Sequence, residues 1–312
     1  MSDRDNAEEG RGDDMPRCGF VAILGAPNAG KSTLTNCLVG SKVSIVTPKV
    51  QTTRARITAI AIYGQSQVVF VDTPGIFRQA KRRLERAMVQ AAWSGAQDAD
   101  LLVLIVDAER DLDRDTIAIL EGLKETGRKA YLVLNKIDLV RRENLLALAA
   151  KLNEGNTFID TFMISALKGD GVEDLKAVLA NEVPPGPWHY PEDQLADISE
   201  RLLAAEITRE KLFLRVHQEL PYALTVETES WQERKDGSIK IDQVIYVRRD
   251  TQKAIILGKG GRLIKEIGQK AREELSEIFD TKIHLFLFVK VRDNWVDDPE
   301  RYREMGLDYA KD

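Results

Sequence analysis

Residues 25–32 read Gly25-Ala26-Pro27-Asn28-Ala29-Gly30-Lys31-Ser32, with the apolar run Phe20-Val21-Ala22-Ile23-Leu24 just before and a helical pattern over residues 31–38 just after. The pattern G-x-x-x-x-G-K-[ST] between a strand and a helix is that of a phosphate-binding loop. At a helix N-terminus the backbone N–H groups are unpaired and the dipole is positive, so an anion is held there. Gly25 and Gly30 let the backbone turn and approach the phosphate with no Cβ in the way. Lys31 can reach the β- and γ-phosphates, and the Ser32 hydroxyl can hold Mg²⁺. Asn28, Ala29, Gly30, Lys31, Ser32 and Thr33 are therefore candidate contacts to a nucleoside triphosphate, with Lys31 also a candidate catalytic group.

Outward from this loop, apolar runs alternate with helical patterns. Strands are predicted at residues 19–24, 57–63, 68–71, 101–106, 130–134 and 162–164, and helices at 31–38, 82–94, 113–125, 143–152 and 172–180. This alternation predicts an α/β fold, a mostly parallel sheet with helices on both faces. The link Tyr63-Gly64-Gln65-Ser66-Gln67 is too short for a crossover helix, so it predicts one antiparallel strand.

Open sheets of this kind bind ligands at the C-terminal ends of their strands. Three further motifs fall there. Asp72-Thr73-Pro74-Gly75 offers a carboxylate for the Mg²⁺ shell and a Gly75 N–H for the γ-phosphate. Asn135-Lys136-Ile137-Asp138 offers a base reader. The Asp138 carboxylate can accept from both N–H groups of the guanine edge, for which adenine has no equivalent pair. Asn135 can brace the loops, and the Lys136 stem can pack over the base. Ser165-Ala166-Leu167 offers a backbone N–H for guanine O6. In this order the motifs resemble the GTPase superfamily over residues 18–182, which implies GTP and GDP with Mg²⁺ as ligands.

Residues 44–54, Ser44-Ile45-Val46-Thr47-Pro48-Lys49-Val50-Gln51-Thr52-Thr53-Arg54, have no sustained period and read as a mobile switch loop. By resemblance to the translation-associated GTPases, Thr53 is the expected Mg²⁺ ligand and catalytic residue alongside Ser32, Asp72 and Gly75, with Thr52 second. Ile76 stands where Ras-like enzymes carry a water-orienting glutamine. It has no side-chain hydrogen-bonding group, so slow intrinsic hydrolysis is expected. Arg54 and Arg56 are candidates for an arginine finger, against the plainer reading of solvated loop residues.

The chain has 312 residues, 43% hydrophobic and 30% charged, with net charge −5. That length suits two domains and gives no global nucleic-acid signature. Cys18 and Cys37 form no disulfide framework and suit a reducing cytosol. Three scattered histidines give no metal site, and no apolar run reaches membrane-spanning length. Residues 1–17 hold six acids and three arginines and read as a disordered acidic tail.

Residues 183–195 contain Pro184, Pro185, Pro187 and Pro191 and read as a semi-rigid linker. The pattern then changes: a helix at 197–218, strands at 222–229 and 239–247, and the stretch Ile255-Ile256-Leu257-Gly258-Lys259-Gly260-Gly261-Arg262-Leu263-Ile264-Lys265-Glu266-Ile267. This stretch resembles the KH signature, I-[IL]-G-x-x-G-x-x-I-x-x-I. With a last strand at 282–291, the order is that of a type II KH fold, predicted over residues 196–292. Gly258, Lys259, Gly260, Gly261, Arg262 and Lys265 are the candidate RNA contacts. Residues 248–292 hold 11 Lys/Arg and 6 Asp/Glu, so positive charge is local to this unit. Residues 293–312, with Trp295, Tyr302 and Tyr309, read as a loosely packed C-terminal extension.

The whole arrangement resembles the bacterial ribosome-assembly GTPases that join one GTPase domain to a type II KH domain. The resemblance implies a GTP-hydrolysing switch that binds small-subunit ribosomal RNA and the small ribosomal subunit. It also implies a cytoplasmic monomer with peripheral contact to the inner membrane, although no basic amphipathic helix demands that contact. Two alternatives are a non-catalytic GTP-dependent RNA scaffold and a relative acting in tRNA modification. A single phosphate loop, an intact KH frame and no C-terminal cysteine disfavour the second.

Overall fold

Strands covered on both faces carry near-continuous apolar runs, and those around the phosphate loop do. The computed structural model describes residues 15–80, 82–110, 112–217, 220–293, 295 and 298–309. The predicted tail therefore lies almost wholly outside the described residues. The first unit comprises β1 (Arg17–Leu24), α1 (Lys31–Val39), β2 (Ile57–Tyr63), β3 (Ser66–Asp72), α2 (Arg83–Asp98), β4 (Leu101–Asp107), α3 (Arg114–Thr126), β5 (Ala130–Asn135), α4 (Arg142–Asn153), β6 (Phe158–Ile164), α5 (Val172–Glu182) and β7 (Ala196–Asp197). Its sheet has the order β6-β5-β4-β1-β3-β2-β7. β1 pairs in parallel with β3 and β4, and β2 pairs antiparallel with β3, as the short link requires.

Every predicted strand and helix of this unit is present, with ends shifted by a few residues. The two-residue β7 was not predicted. It pairs antiparallel with β2 at the sheet edge. The proline-rich segment before it packs against the turn end of the β2–β3 hairpin. The Gln67 amide oxygen accepts from the His189 and Tyr190 N–H groups at 2.9 and 3.0 Å, and the Trp188 indole N–H donates to the Gln65 carbonyl at 3.0 Å.

The second unit runs α6 (Glu200–Arg215), β8 (Leu224–Glu233), β9 (Ile239–Val247), α7 (Asp250–Leu257), α8 (Arg262–Ile278) and β10 (Ile283–Val291), the predicted order. α6 starts later than predicted because Asp197 belongs to β7 and Ser199 caps the helix, accepting from the Leu202 N–H at 3.3 Å. The sheet order is β10-β9-β8, with β10 parallel to β9. Ile256, Ile267 and Val289 pack with Leu212 and Phe213 of α6 in its core.

The expectation of a loose C-terminal extension is corrected. Trp295 and Tyr302 are each 1% exposed. Tyr302, on the short α9 (Pro299–Glu304), and Leu307 join Leu84, Ala87 and Met88 of α2 in one cluster. Burial of aromatic surface in the crevice between the two units holds the extension there, despite its many charges.

Candidate nucleotide site and glycine loop

β1 ends where the phosphate loop begins, and the loop is packed too tightly for side chains. A Cβ on Gly25 would stand 2.6 Å from the Ile105 carbonyl, and one on Gly30, at φ 101°, would stand 2.2 Å from Asn135 Nδ2. Asn135 uses that amide to tie the loops together. It donates to the Ala29 carbonyl at 2.9 Å and accepts from the Ala166 N–H at 2.9 Å. This is the brace expected of Asn135. It also engages one of the N–H groups expected to read guanine O6, and the Ser165 N–H is engaged by the Asp170 carbonyl.

A cavity of about 480 Å³ opens over this loop. Asn28, Gly30, Lys31, Ser32, Thr33, Thr53, Gly75, Asn135, Lys136, Asp138, Ser165 and Leu167 all line it. Ala29, Asp72 and Ala166 are buried behind its wall. At the cavity's outer end, Lys168 lies 3.4 Å from the Asp138 carboxylate. The Ser165 hydroxyl first, and then Lys168, hold that carboxyl below its usual range, so it is an ionised acceptor at neutral pH. Lys136 sits at φ 68° with Nζ 2.6 Å from Asp107, which fixes its stem.

The candidate Mg²⁺ residues converge. Ser32 Oγ lies 2.8 Å from Thr53 Oγ1 and donates at 2.8 Å to Asp72 Oδ2. Asp72 is fully buried, and its Oδ1 has no hydrogen-bond partner among the described residues. Burial pushes the Asp72 carboxyl up, with Ser44, Lys31 and Ser32 offsetting only part. A desolvated carboxylate with an orphaned oxygen beside two hydroxyls is a hard-oxygen set that fits Mg²⁺. Lys31 Nζ donates to the Gly25 and Ala26 carbonyls at 3.0 and 2.9 Å. Burial lowers its pKa to about 8, partly offset by Asp72.

Thr52 also lines the cavity, but its hydroxyl is engaged within the segment, 2.6 Å from Thr47 Oγ1. Sequence reading missed Ser44, which donates to Asp72 Oδ2 at 2.8 Å, and Asn36, whose Oδ1 accepts from the Val43 and Ser44 N–H groups at 3.0 and 2.9 Å. No local signal marked either residue, since α1 is itself rich in polar residues before Asn36. Ile76 is buried in the core, its N–H donating to the Gly25 carbonyl at 3.3 Å, so its side chain faces away from the cavity.

The switch segment is held by α6 of the second unit. Arg209 donates to the Gln51 carbonyl at 3.5 Å and also to that of Thr52. Glu210 accepts from the Val46 N–H at 2.8 Å and pairs with Lys42 at 2.7 Å. Lys42 and Lys211 both also reach Glu274 of α8. Arg54 is not a finger in this arrangement. It is buried and donates to the Leu224 and Pro221 carbonyls at 2.8 and 3.1 Å.

The glycine loop between α7 and α8 is open instead. Gly258, Gly260 and Gly261 have φ of 67°, 62° and 74°. A Cβ on Gly260 or Gly261 would meet nothing within 4 Å. Lys259, Arg262 and Lys265 are exposed around it. Backbone N–H groups at the start of a helix, ringed by cations, suit a phosphodiester chain.

Fold and site together define a GTP-binding protein of the phosphate-loop class joined to a KH domain. Two family models match it, a 50S ribosome-binding GTPase over residues 20–136 and a KH domain over residues 219–296. The chain is 65% identical over 295 residues to GTPase Era of Rhizobium meliloti (strain 1021), covering 95% of this chain and 94% of that one. It is 61% identical over 313 residues to GTPase Era of Agrobacterium fabrum (strain C58 / ATCC 33970), covering 100% and 98%. Among solved structures it resembles Era in complex with MgGDPNP and nucleotides 1506–1542 of 16S ribosomal RNA, with TM-score 0.88, 36% identity, and 95% of this chain and 100% of that one covered. It resembles Aquifex aeolicus Era bound to GDP·AlF4⁻ with the same values. The chain belongs to the Era family of GTPases: it hydrolyses GTP to GDP and phosphate, with Mg²⁺ as cofactor.

Proposed function

We propose that the chain is a switch in which GTP, read by residues of the first unit, sets how tightly the KH domain, from α6 to β10, binds small-subunit ribosomal RNA during assembly of the small subunit. The carrying observation is the contact between the two: Arg209 and Glu210 of the KH domain hold the backbone of residues 46–52, and the next residue, Thr53, stands 2.8 Å from Ser32. The Era structure that contains 16S ribosomal RNA supports the choice of RNA.

Asp138 reads guanine, Asn135 braces the base and phosphate loops, and the N–H groups of residues 28–33 with Lys31 hold the phosphates. Ser32, Thr53 and Asp72 would hold Mg²⁺, which neutralises charge on the β- and γ-phosphate oxygens. The Gly75 N–H donates to the γ-phosphate. With Ile76 turned into the core, no side chain at that position orients the attacking water, so intrinsic turnover is slow. Loss of the γ-phosphate frees Thr53, and with it the segment that α6 grips. The coupling is reciprocal, so RNA must favour the GTP state by the factor with which GTP favours RNA. RNA affinity measured with a GTP analogue, GDP and no nucleotide tests this; equal affinities in all three would overturn it.

No helix among the described residues is long and apolar enough to cross a membrane. We place the chain in the cytoplasm as a monomer, with only peripheral contact to the inner membrane.

A further inference from the structure

β10 is one of the two edge strands of the KH sheet. Its odd-numbered side chains face the helices. Ile283 and Val289 are buried, and a Cβ on Gly268 of α8 would stand 3.3 Å from Leu287 Cδ1. Its even-numbered side chains face the other way. Together with the flanking residues they read Lys282, His284, Phe286, Phe288, Lys290 and Arg292. Phe286 is 45% and Phe288 52% exposed. Two phenyl rings thus stand side by side in water, with cations at both ends of the stripe. Lys240, in register with His284 on β9, lies 5.4 Å from the Phe286 ring. Carboxylates sit further in: Asp242 pairs with Lys240 at 2.7 Å, and Glu229 of β8 pairs with Lys290 at 2.9 Å.

The inner part of this face is already covered. Arg301 of α9 lies 4.3 Å over the Tyr246 ring of β9 and pairs with Glu227 of β8. The cover stops short of the two rings on β10. Just around the strand edge is α7, which packs on β10 and ends in the glycine loop.

We propose that single-stranded RNA leaving the glycine loop crosses the edge of β10 and stacks two bases on Phe286 and Phe288. This rests on the KH reading above and extends it to a second contact surface. A glycine loop of this kind grips about four nucleotides, so a longer strand must run on across a neighbouring surface. Exposed rings between cations meet the needs of such a strand, because every base has a π-face and every linkage an anion. A stable protein partner would need far more apolar area than two rings. An anionic lipid surface would meet the same cations, but only a strand already held by the glycine loop is led to this edge by α7.

The test uses the full chain and RNA cut from nucleotides 1506–1542 of 16S ribosomal RNA. Wild type, F286A/F288A and F286W/F288W are titrated with the whole segment and with pieces of about four nucleotides. Both rings are exposed, so neither double variant opens the core. The alanine variant should bind the long RNA roughly 30-fold or more weakly and the short pieces as wild type does. The tryptophan variant should keep the long-RNA affinity. Unchanged long-RNA affinity in F286A/F288A would overturn the stacking surface and leave the KH reading intact. So would retained RNA affinity with lost binding to anionic phospholipid vesicles, which would assign the stripe to lipid. A K259E/R262E variant should lose both RNAs, and if it kept both, the KH reading itself would fail.

Discussion

The chain turns on two glycine loops, and they need glycine for different reasons. In the phosphate loop the reason is space: a Cβ on Gly30 would stand 2.2 Å from Asn135 Nδ2, and one on Gly25 would stand 2.6 Å from a carbonyl oxygen. In the KH loop, Gly260 and Gly261 face nothing within 4 Å, and only their positive φ asks for glycine. A loop that encloses its ligand is built from tightly packed neighbours, whereas a loop that lies along a polymer must stay open. The same mutation should therefore do very different things in the two places.

The largest effect is expected at Gly30→Ala. Clash and strained φ together should displace Asn135, which also holds Ala166, and weaken GTP-analogue binding by about 100-fold or more. Titration of a fluorescent analogue, with circular dichroism as a check on folding, measures it. Affinity within a few-fold of wild type would mean that space is not what specifies this loop. Asp138→Asn comes next. It removes an ionised acceptor for two donors, so GTP affinity should fall by roughly 30-fold or more while xanthosine triphosphate gains. Competition between the two nucleotides reads this directly, and an unchanged preference for GTP would count against Asp138 as base reader.

Between the loops stands Arg209. Arg209→Ala should leave RNA affinity in the GDP state unchanged and abolish most of its increase with a GTP analogue, a change of about 5- to 100-fold. A preserved increase would mean that the coupling runs elsewhere. Gly260→Ala should cost only the left-handed backbone, about 1–2 kcal/mol, and so weaken RNA roughly 5- to 30-fold without touching GTP binding. If it acted as severely as Gly30→Ala, the contrast between the loops would be wrong.

The smallest effect concerns the ionic contact between the domains. Burial raises the Glu210 pKa, but Lys211, Lys42 and the Val46 N–H outweigh it and hold the group below its ordinary 4.5. A carboxyl depressed in the folded state contributes stability above its unfolded pKa and loses it as pH falls through the lower folded value. Domain docking should therefore loosen below about pH 4.5. Small-angle scattering across pH 3–7 should show expansion there, with Glu210→Gln insensitive over the same range. Identical pH responses in the two proteins would remove Glu210 from the contact.

Sequence reading went furthest where a motif is local. Residues 25–32, 72–75, 135–138 and 258–261 each carry their chemistry within a few positions, and each stands at the predicted strand end or helix junction. Thr53 was preferred to Thr52 by resemblance alone, and the structure turns only Thr53 toward Ser32. What escaped depends on partners distant in the chain. Ser44 meets Asp72 across 28 positions, and Arg54 meets Leu224 across 170. Nothing near Arg54 distinguishes a solvated loop arginine from one buried against another domain. The short β7 has no periodicity to detect, and the aromatic residues of the C-terminal extension needed a crevice that only the assembled domains provide.

By itself, the sequence determined the ligand class, the base, the parallel sheet and the KH order. These follow from backbone geometry and side-chain chemistry over short stretches, where steric and hydrogen-bonding rules act locally. Tertiary structure alone decided how the two units meet. It set α6 against residues 46–52, buried the C-terminal extension between the domains and left Phe286 and Phe288 in water. Those outcomes depend on which surfaces meet when distant segments pack, and no local pattern carries that information.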